Sequence, residues 1–401
     1  MQTLPKVPLG TTGLRVSRLG MGVMNTPSEG RETALATLGQ ALKQGIRFLD
    51  TSESYGANLP DGSRLSSEEL IREAVQAWGQ EEELVLCTKG HGYEVDSCLE
   101  CLHGSLQRLG LAGKGSDRHL GATPVRLIYL LHGLQRERWE TVQQQDTVRK
   151  ALRPAQAEGL IDAYGFSGHD HVVLQEAIAS GWFECVETRY NVFNRNSRQT
   201  AGEVTPEVPT ALQLLQAARE RGMGIINMKP YGGNGMQPVL KMVASREVGL
   251  TPQALLRYCL ASDNVDVVIP GARTPAEIEE TVAGFHAGPL ETTARQALEK
   301  AADAVTQMIG EDYCRACRHC LDDAGGYACP QGIDFIEILT LESRRKVAQA
   351  LGLDVTPLQA AYAALSVKAE ACEDCGGCQE RCLYQLPIAS MLAQAHVHLT
   401  T

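Results

Sequence analysis

The sequence predicts an α/β protein: a (β/α)8 TIM barrel followed by a small, mainly helical, cysteine-rich domain. Three observations lead there. Over the first 300 of 401 residues, short apolar runs alternate eight times with segments of helical spacing. Each run is short and largely apolar, as strands are when both faces of a parallel sheet are buried. Eight of the thirteen cysteines then fall between Cys314 and Cys382, a composition break near residue 310. The division expected is therefore 1–300 for the barrel and 301–401 for the second domain.

The elements follow in order. Leu9–Ser17 (L-G-T-T-G-L-R-V-S) reads as a small hairpin ahead of the barrel. Strands are predicted at Ser17–Val23, Ile46–Ser52, Glu83–Lys89, Val125–His132, Ala163–Ser167, Phe183–Asn191, Gly224–Pro230 and Val265–Gly271. Helical spacing lies at about 31–44, 65–78, 97–109, 139–159, 171–180, 208–222, 251–260 and 275–284. Eight alternations favour a closed barrel over an open doubly wound sheet. Two polar stretches, Leu111–Thr123 and Asn194–Pro209, interrupt the pattern and are expected to be pocket-shaping loops. In the second domain, Ile333–Leu351 and Pro357–Ala371 have the apolar spacing of helices.

Composition narrows the function. A formal charge of −11 argues against the phosphate-neutralising surface of a nucleic-acid binder. No apolar run reaches the length of a membrane span, and the N-terminal residues lack the apolar core of a signal peptide. A cytoplasmic location is the resulting expectation, with no nucleic-acid or membrane partner. In a reducing compartment, clustered cysteines read as metal ligands before disulfides.

Active sites of this fold sit at the C-terminal ends of the strands. The second strand ends in F-L-D-T-S-E-S-Y-G, which places Asp50 at its end and Tyr55 just beyond. The third ends in T-K-G with Lys89, and the fourth in L-L-H-G with His132. Singly, a strand-end Asp caps a helix more often than it catalyses, and a lone Lys or His is more often solvated. Four titratable types on one rim carry more weight.

On these motifs, with G-L-I-D-A-Y-G-F-S-G-H and V-V-I-P-G-A-R-T-P further on, the chain resembles the aldo/keto reductase superfamily over most of residues 3–285. The resemblance implies a catalytic tetrad of Asp50, Tyr55, Lys89 and His132. An ammonium beside the phenol stabilises phenolate and lowers a pKa that is ordinarily about 10, while Asp50 holds Lys89 in place. His132 then orients a small-molecule carbonyl or alcohol substrate. The cofactor implied is NADP on family grounds, with NAD as the alternative, bound across the rim. Ser167 matches the residue that holds the nicotinamide carboxamide, with Gly168 where an Asn is usual and Glu187 where a Gln is usual. Met228 stands at the site of a stacking aromatic, and Lys229 with the Gly-rich turn after it faces the pyrophosphate. Gly271, Arg273 and Glu277 lie at the adenosine end, where a carboxylate is unfavourable to a 2′-phosphate.

The tail carries Cys314-x2-Cys317-x2-Cys320 with Cys329, and Cys372-x2-Cys375-x2-Cys378-x3-Cys382. Two such runs resemble the bacterial dicluster ferredoxins, in which the fourth Cys of each run ligates the other cluster. Carried over, Cys314, Cys317, Cys320 and Cys382 hold one [4Fe–4S] cluster, and Cys372, Cys375, Cys378 and Cys329 the other. Two departures stand out: eight residues between Cys320 and Cys329 where ferredoxins have three, and Leu383 in place of a Pro. Two clusters are expected, or one if the insertion disables the first run; zinc is the other metal that C-x2-C pairs suit. A branch of the same superfamily carries such a tail. The remaining cysteines, Cys87, Cys98, Cys101, Cys185 and Cys259, read as core packing or idle thiols.

The function expected is NAD(P)-dependent carbonyl/alcohol oxidoreduction with Tyr55 as general acid/base, an iron–sulfur electron-transfer module and an electron-transfer partner. The alternative is a coenzyme-binding redox sensor or scaffold with little turnover, its cysteine module structural or zinc-binding.

Overall fold

The computed structural model describes residues 4–58, 62–200, 203–243, 249–310, 313–321, 328–382 and 384–401. The chain divides into two compact units. One comprises Met1–Pro230 with Leu256–Pro289, the other Tyr231–Leu255 with Leu290–Thr401.

The first unit is a parallel barrel of eight strands: β1 (Met21–Gly22), β2 (Phe48–Asp50), β3 (Leu84–Gly90), β4 (Thr123–Leu134), β5 (Ala163–Gly168), β6 (Cys185–Arg189), β7 (Gly224–Met228) and β8 (Val267–Ile269). Each pairs with the next in chain order. The first and last strands close the ring through Gly20 N to Val268 O (2.9 Å) and Gly22 N to Pro270 O (3.0 Å). The interior is filled by Phe48, Val85, Cys87, Ile128, Leu130, Cys185, Ile226 and Val267, with Leu9 and Val16 of the antiparallel Lys6–Pro8/Arg15–Ser17 hairpin packed into the same cluster. Cys87 and Cys185 are thus core residues, as their apolar contexts predict.

Outside run helices α1 (Arg31–Lys43), α2 (Ser67–Trp78), α3 (Val95–Leu109), α4 (Arg136–Gln145), α5 (His171–Ser180), α6 (Ala211–Glu220), α7 (Pro252–Leu260) and α8 (Pro275–His286). Local chemistry sets their ends. Asp170 accepts from the Val172 and Val173 amides to start α5, and Thr210 with Gln213 forms a capping box on α6. The helix expected over 139–159 is broken instead. Asp146 turns left-handed (φ 57°) and ends α4, and a π turn at Val148–Leu152 leads into a short helix at Arg153–Ala157.

Leu111–Thr123 is not a pocket loop. Its His119–Leu120 segment pairs with Thr123–Pro124, the start of β4, and Arg118 is buried against Asp162 and the Gly159 carbonyl. Strand starts lie at the end of a parallel barrel opposite its active rim, so this insertion braces the far side. Asn194–Pro209 does follow a strand's C-terminal end, and its Gln199 side chain meets Arg189 of β6.

In the second unit, α9 (Thr292–Ile309), α10 (Phe335–Ala350), α11 (Thr356–Ala364), the short α12 (Gly377–Glu380) and α13 (Ile388–Thr400) surround a core of Ile333, Phe335, Ile338, Leu339, Tyr362, Leu386 and Leu392. Two predicted helices match α10 and α11, although the second ends at Ala364 before a separate 3-10 turn at Ala369–Ala371. Helix α9 runs through residue 300, so the second unit starts ahead of the division read from composition. Most of the insertion between Cys320 and Cys329, and Leu383, lie outside the described residues. Among the described residues no helix is long and apolar enough to cross a membrane.

Candidate active site and cysteine unit

Register brings the tetrad to one level. Asp50 of β2 pairs with Cys87, and Lys89 of β3 pairs with Leu130, two residues before His132. Lys89 Nζ lies 2.5 Å from Asp50 Oδ1 and donates to the Thr51 carbonyl at 2.9 Å. Tyr55 sits in the turn after β2, its ring centroid 5.3 Å from Lys89 Nζ and 5.5 Å, edge-on, from the His132 ring. All four side chains therefore meet. Ser52, which the sequence reading passed over, lies 3.0 Å from His132 Nδ1 and 3.1 Å from the Lys89 carbonyl, within the same D-T-S-E-S-Y motif. The His91 ring lies against that of His132, with centroids 4.4 Å apart and planes tilted by 45°.

A fifth ionisable group joins them. Glu187 of β6 places Oε2 3.2 Å from Lys89 Nζ, an ionic contact without hydrogen-bond alignment. The three side chains are almost sealed from solvent, at 0% (Lys89), 4% (Asp50) and 2% (Glu187) exposure. Burial alone favours a neutral amine, but Asp50 and then Glu187 hold Lys89 charged, with its pKa well above the ordinary lysine range. Glu187 moves the other way: burial, then Asp50, raise its carboxyl to about 8 against the pull of Lys89.

Tyr55 departs from expectation for the same reason. Lys89 does lower its pKa, but burial outweighs that pull and Asp50 and Glu187 add to the rise, so the net shift is upward. The ammonium is already engaged by Asp50, with the Glu187 carboxyl beside it.

The expected coenzyme residues form separate groups. Ser167, at the end of β5, accepts from the Gly133 amide at 2.9 Å. At Gly168 a Cβ would lie 3.3 Å from the Leu134 carbonyl, beside a register irregularity, so an Asn there would crowd the strand. Met228 ends β7 half-buried, and Lys229, left-handed at φ 55°, has Nζ 3.3 Å from His169 Nε2. Gly271 is exposed. The Arg273 amide donates to Glu277 Oε2 (2.7 Å), and its guanidinium lies 4.0 Å from Glu29, a partner no sequence signal marks.

In the second unit the eight thiols form two groups that cross between the runs. Burial, with Cys317 and Cys382 as neighbours, raises Cys314 to about 11; burial, with Cys317, Cys314 and Cys382, raises Cys320 to about 12. Burial, with Cys372, Cys375 and Cys329, raises Cys378 to about 11. The loops carry left-handed residues, Ala316 and Arg318 in the first run and Asp374 and Gly376 in the second. Such turns direct backbone N–H groups at an anion, and the Ala316 amide reaches Cys314 Sγ at 3.4 Å. A pocket in this unit is lined by Cys329, Cys372, Cys375 and Cys378, with Ile333, Phe335 and Leu392 among its apolar walls.

Among the described residues, which include all eight thiols, only Asp50, Cys87 and Glu187 form a group of His, Cys, Asp or Glu with ligand atoms all within 4.8 Å. That group surrounds the Lys89 ammonium. The thiol quartets are spread wider than sulfurs on one zinc, which sit about 3.8 Å apart for 2.3 Å bonds. The Gly-rich turn after β7 also belongs here: the Gly235 amide donates to the Arg315 carbonyl at 3.0 Å.

Residues 18–303 match the family model described as "Aldo/keto reductase family". The chain is 30% identical over 237 residues to the uncharacterized oxidoreductase YrpG of Bacillus subtilis, covering 56% of this chain and 66% of that protein, just under two thirds of its length. It is 24% identical over 284 residues to pyridoxine 4-dehydrogenase of Escherichia coli, covering 69% and 91%. In fold it is similar to the holo form of the aldo-keto reductase AKR11C1 of Bacillus halodurans, with TM-score 0.57, 22% identity and coverage of 74% and 96%. An aldo/keto reductase of Brucella melitensis aligns with TM-score 0.52 at 21% identity, covering 75% and 99%.

Proposed function

This chain belongs to the aldo/keto reductase family and is an oxidoreductase, and on that premise we propose that it interconverts a carbonyl and an alcohol with a nicotinamide coenzyme at the Asp50–Tyr55–Lys89–His132 cluster. The observation that carries this reading is the convergence of the four side chains at one level of the barrel.

A bound reduced nicotinamide supplies the hydride. Tyr55 gives its proton to the carbonyl oxygen and takes it back in the reverse direction. Lys89 stabilises the phenolate left behind, and Asp50 keeps Lys89 charged and in place. When the Ser52 hydroxyl donates to His132 Nδ1, the ring proton sits on Nε2, from which His132 donates to the substrate oxygen. Ser167 fits the carboxamide end and Lys229 the pyrophosphate. Glu277 and Glu29 beside Arg273 support NAD over NADP, because a 2′-phosphate there would meet two carboxylates. Tyr55→Phe should lower turnover on an aldehyde and ketone panel by about 10²- to 10⁴-fold, with binding of reduced coenzyme, followed by its fluorescence, retained. Undiminished turnover would overturn the assignment.

The second unit, on this reading, holds two [4Fe–4S] clusters that pass single electrons to a partner. The crossed grouping of thiols, the Ala316 N–H on sulfur and the apolar pocket around the second quartet support it. Iron and acid-labile sulfide, with broad visible absorption, are expected in protein purified without oxygen; a colourless zinc-bearing protein would refute it.

One observation favours a coenzyme-binding sensor instead: the Lys89 ammonium beside Tyr55 already lies against Asp50 and Glu187, and burial works against ionisation of the phenol. Coenzyme binding without turnover on the panel would select that reading.

A further inference from the structure

We propose that Arg315 makes the Cys314–Cys317–Cys320–Cys382 quartet the stronger electron acceptor of the two, so that its cluster is reduced first. The inference rests on the two-cluster reading above. Arg315 follows Cys314 directly, and its guanidinium is held between the rings of Tyr313 and Tyr384, 4.2 and 4.7 Å from their centroids. Its Nη1 also donates to the Tyr313 carbonyl at 2.6 Å. Tyr384 stands two residues beyond Cys382, so this sandwich pins one positive charge beside both arms of the quartet. Both the Cys314 and Cys382 thiols feel that charge.

Backbone donors act in the same direction. The Ala316 amide donates to Cys314 Sγ at 3.4 Å, and the amides of Tyr384 and Leu386 donate to Cys382. The other quartet has opposite surroundings: Glu373 and Asp374, between Cys372 and Cys375, are exposed and line its pocket. Reducing a cluster adds one negative charge, so a nearby cation and N–H···S bonds raise its potential while carboxylates lower it. Solvent works against this order, since Cys375 is exposed whereas Cys320 is buried. The half-buried guanidinium is screened less than exposed carboxylates are, and it acts together with three N–H donors.

The test is a potentiometric titration with dithionite, followed by electron paramagnetic resonance, on the full chain purified without oxygen and assayed for iron and sulfide. Two one-electron steps are expected. Arg315→Gln should lower the higher potential and leave the lower one in place, while Arg315→Lys keeps most of the original value. Glu373→Gln combined with Asp374→Asn should raise the lower potential only. An unmoved higher potential in Arg315→Gln, or a shift confined to the lower one, overturns the assignment even with both clusters intact. Wild-type chain lacking iron and sulfide would sink the two-cluster reading and this inference with it.

Discussion

Replacing Glu187 by Gln tests the unusual charge balance around Lys89 most directly. Glu187 is 2% exposed, and its carboxyl is raised from 4.5 to about 8, first by burial and then by Asp50. The sign follows from linkage. A carboxyl with a raised folded-state pKa keeps a proton that the unfolded chain releases, so its stabilising contribution is complete below pH 4.5 and is lost as pH rises through about 8. Each pH unit in that window is worth about 1.4 kcal/mol, so the loss between pH 5 and pH 8 is on the order of 4 kcal/mol. Glutamine fills nearly the same space without titrating. The variant should match wild type near pH 5 and exceed it by a few kcal/mol at pH 8. Urea unfolding followed by tryptophan fluorescence suits the measurement, because Trp78, Trp139 and Trp182 all lie in the barrel unit and report its transition alone. Parallel stability profiles for the two proteins, or a wild type that gains on the variant as pH rises, would refute the account of Glu187 as a carboxyl kept protonated by burial beside Asp50.

The other predictions touch the same contacts. Lys89→Met leaves Asp50 and Glu187 buried without their cation; it should cost about 3–5 kcal/mol, and Glu187→Gln in the same chain should recover part of that, read by the same urea assay. Reduced NAD should bind more tightly than reduced NADP in fluorescence titrations, and Glu277→Arg should narrow or reverse the gap; tighter NADP binding by the wild type would contradict the role given to Glu277 and Glu29. A Cβ at Gly235 would stand 2.4 Å from the Cys314 carbonyl oxygen. Gly235→Ala should therefore displace the first cysteine loop and lower iron content per chain, and unchanged iron would show that the loop tolerates the shift.

Much of this was legible in the residue order, because it depends on local periods and spacings. Eight short apolar runs announce eight buried strands, and a polar residue ending such a run, as with Asp50, Lys89 and His132, must emerge at the barrel rim. Three cysteines at x2 spacing mark out the ligand set proposed above in the same way. What stayed hidden depends on closure of the ring and on packing between distant segments. Glu187 reaches Lys89 from a strand nearly a hundred residues later in the chain, and burial of the whole cluster, with Asp50 and Glu187 adding to it, outweighs the pull of the ammonium on Tyr55. Gly235 reads as part of a coenzyme loop but packs on the cysteine loop, and Leu111–Thr123 reads as a pocket loop but braces the opposite end. Local sequence, then, determined which side chains stand at the rim and which thiols recur at x2 spacing. The tertiary structure decided which charges face one another, because the electrostatic worth of a buried group is set by neighbours that only the folded chain brings within a few ångströms.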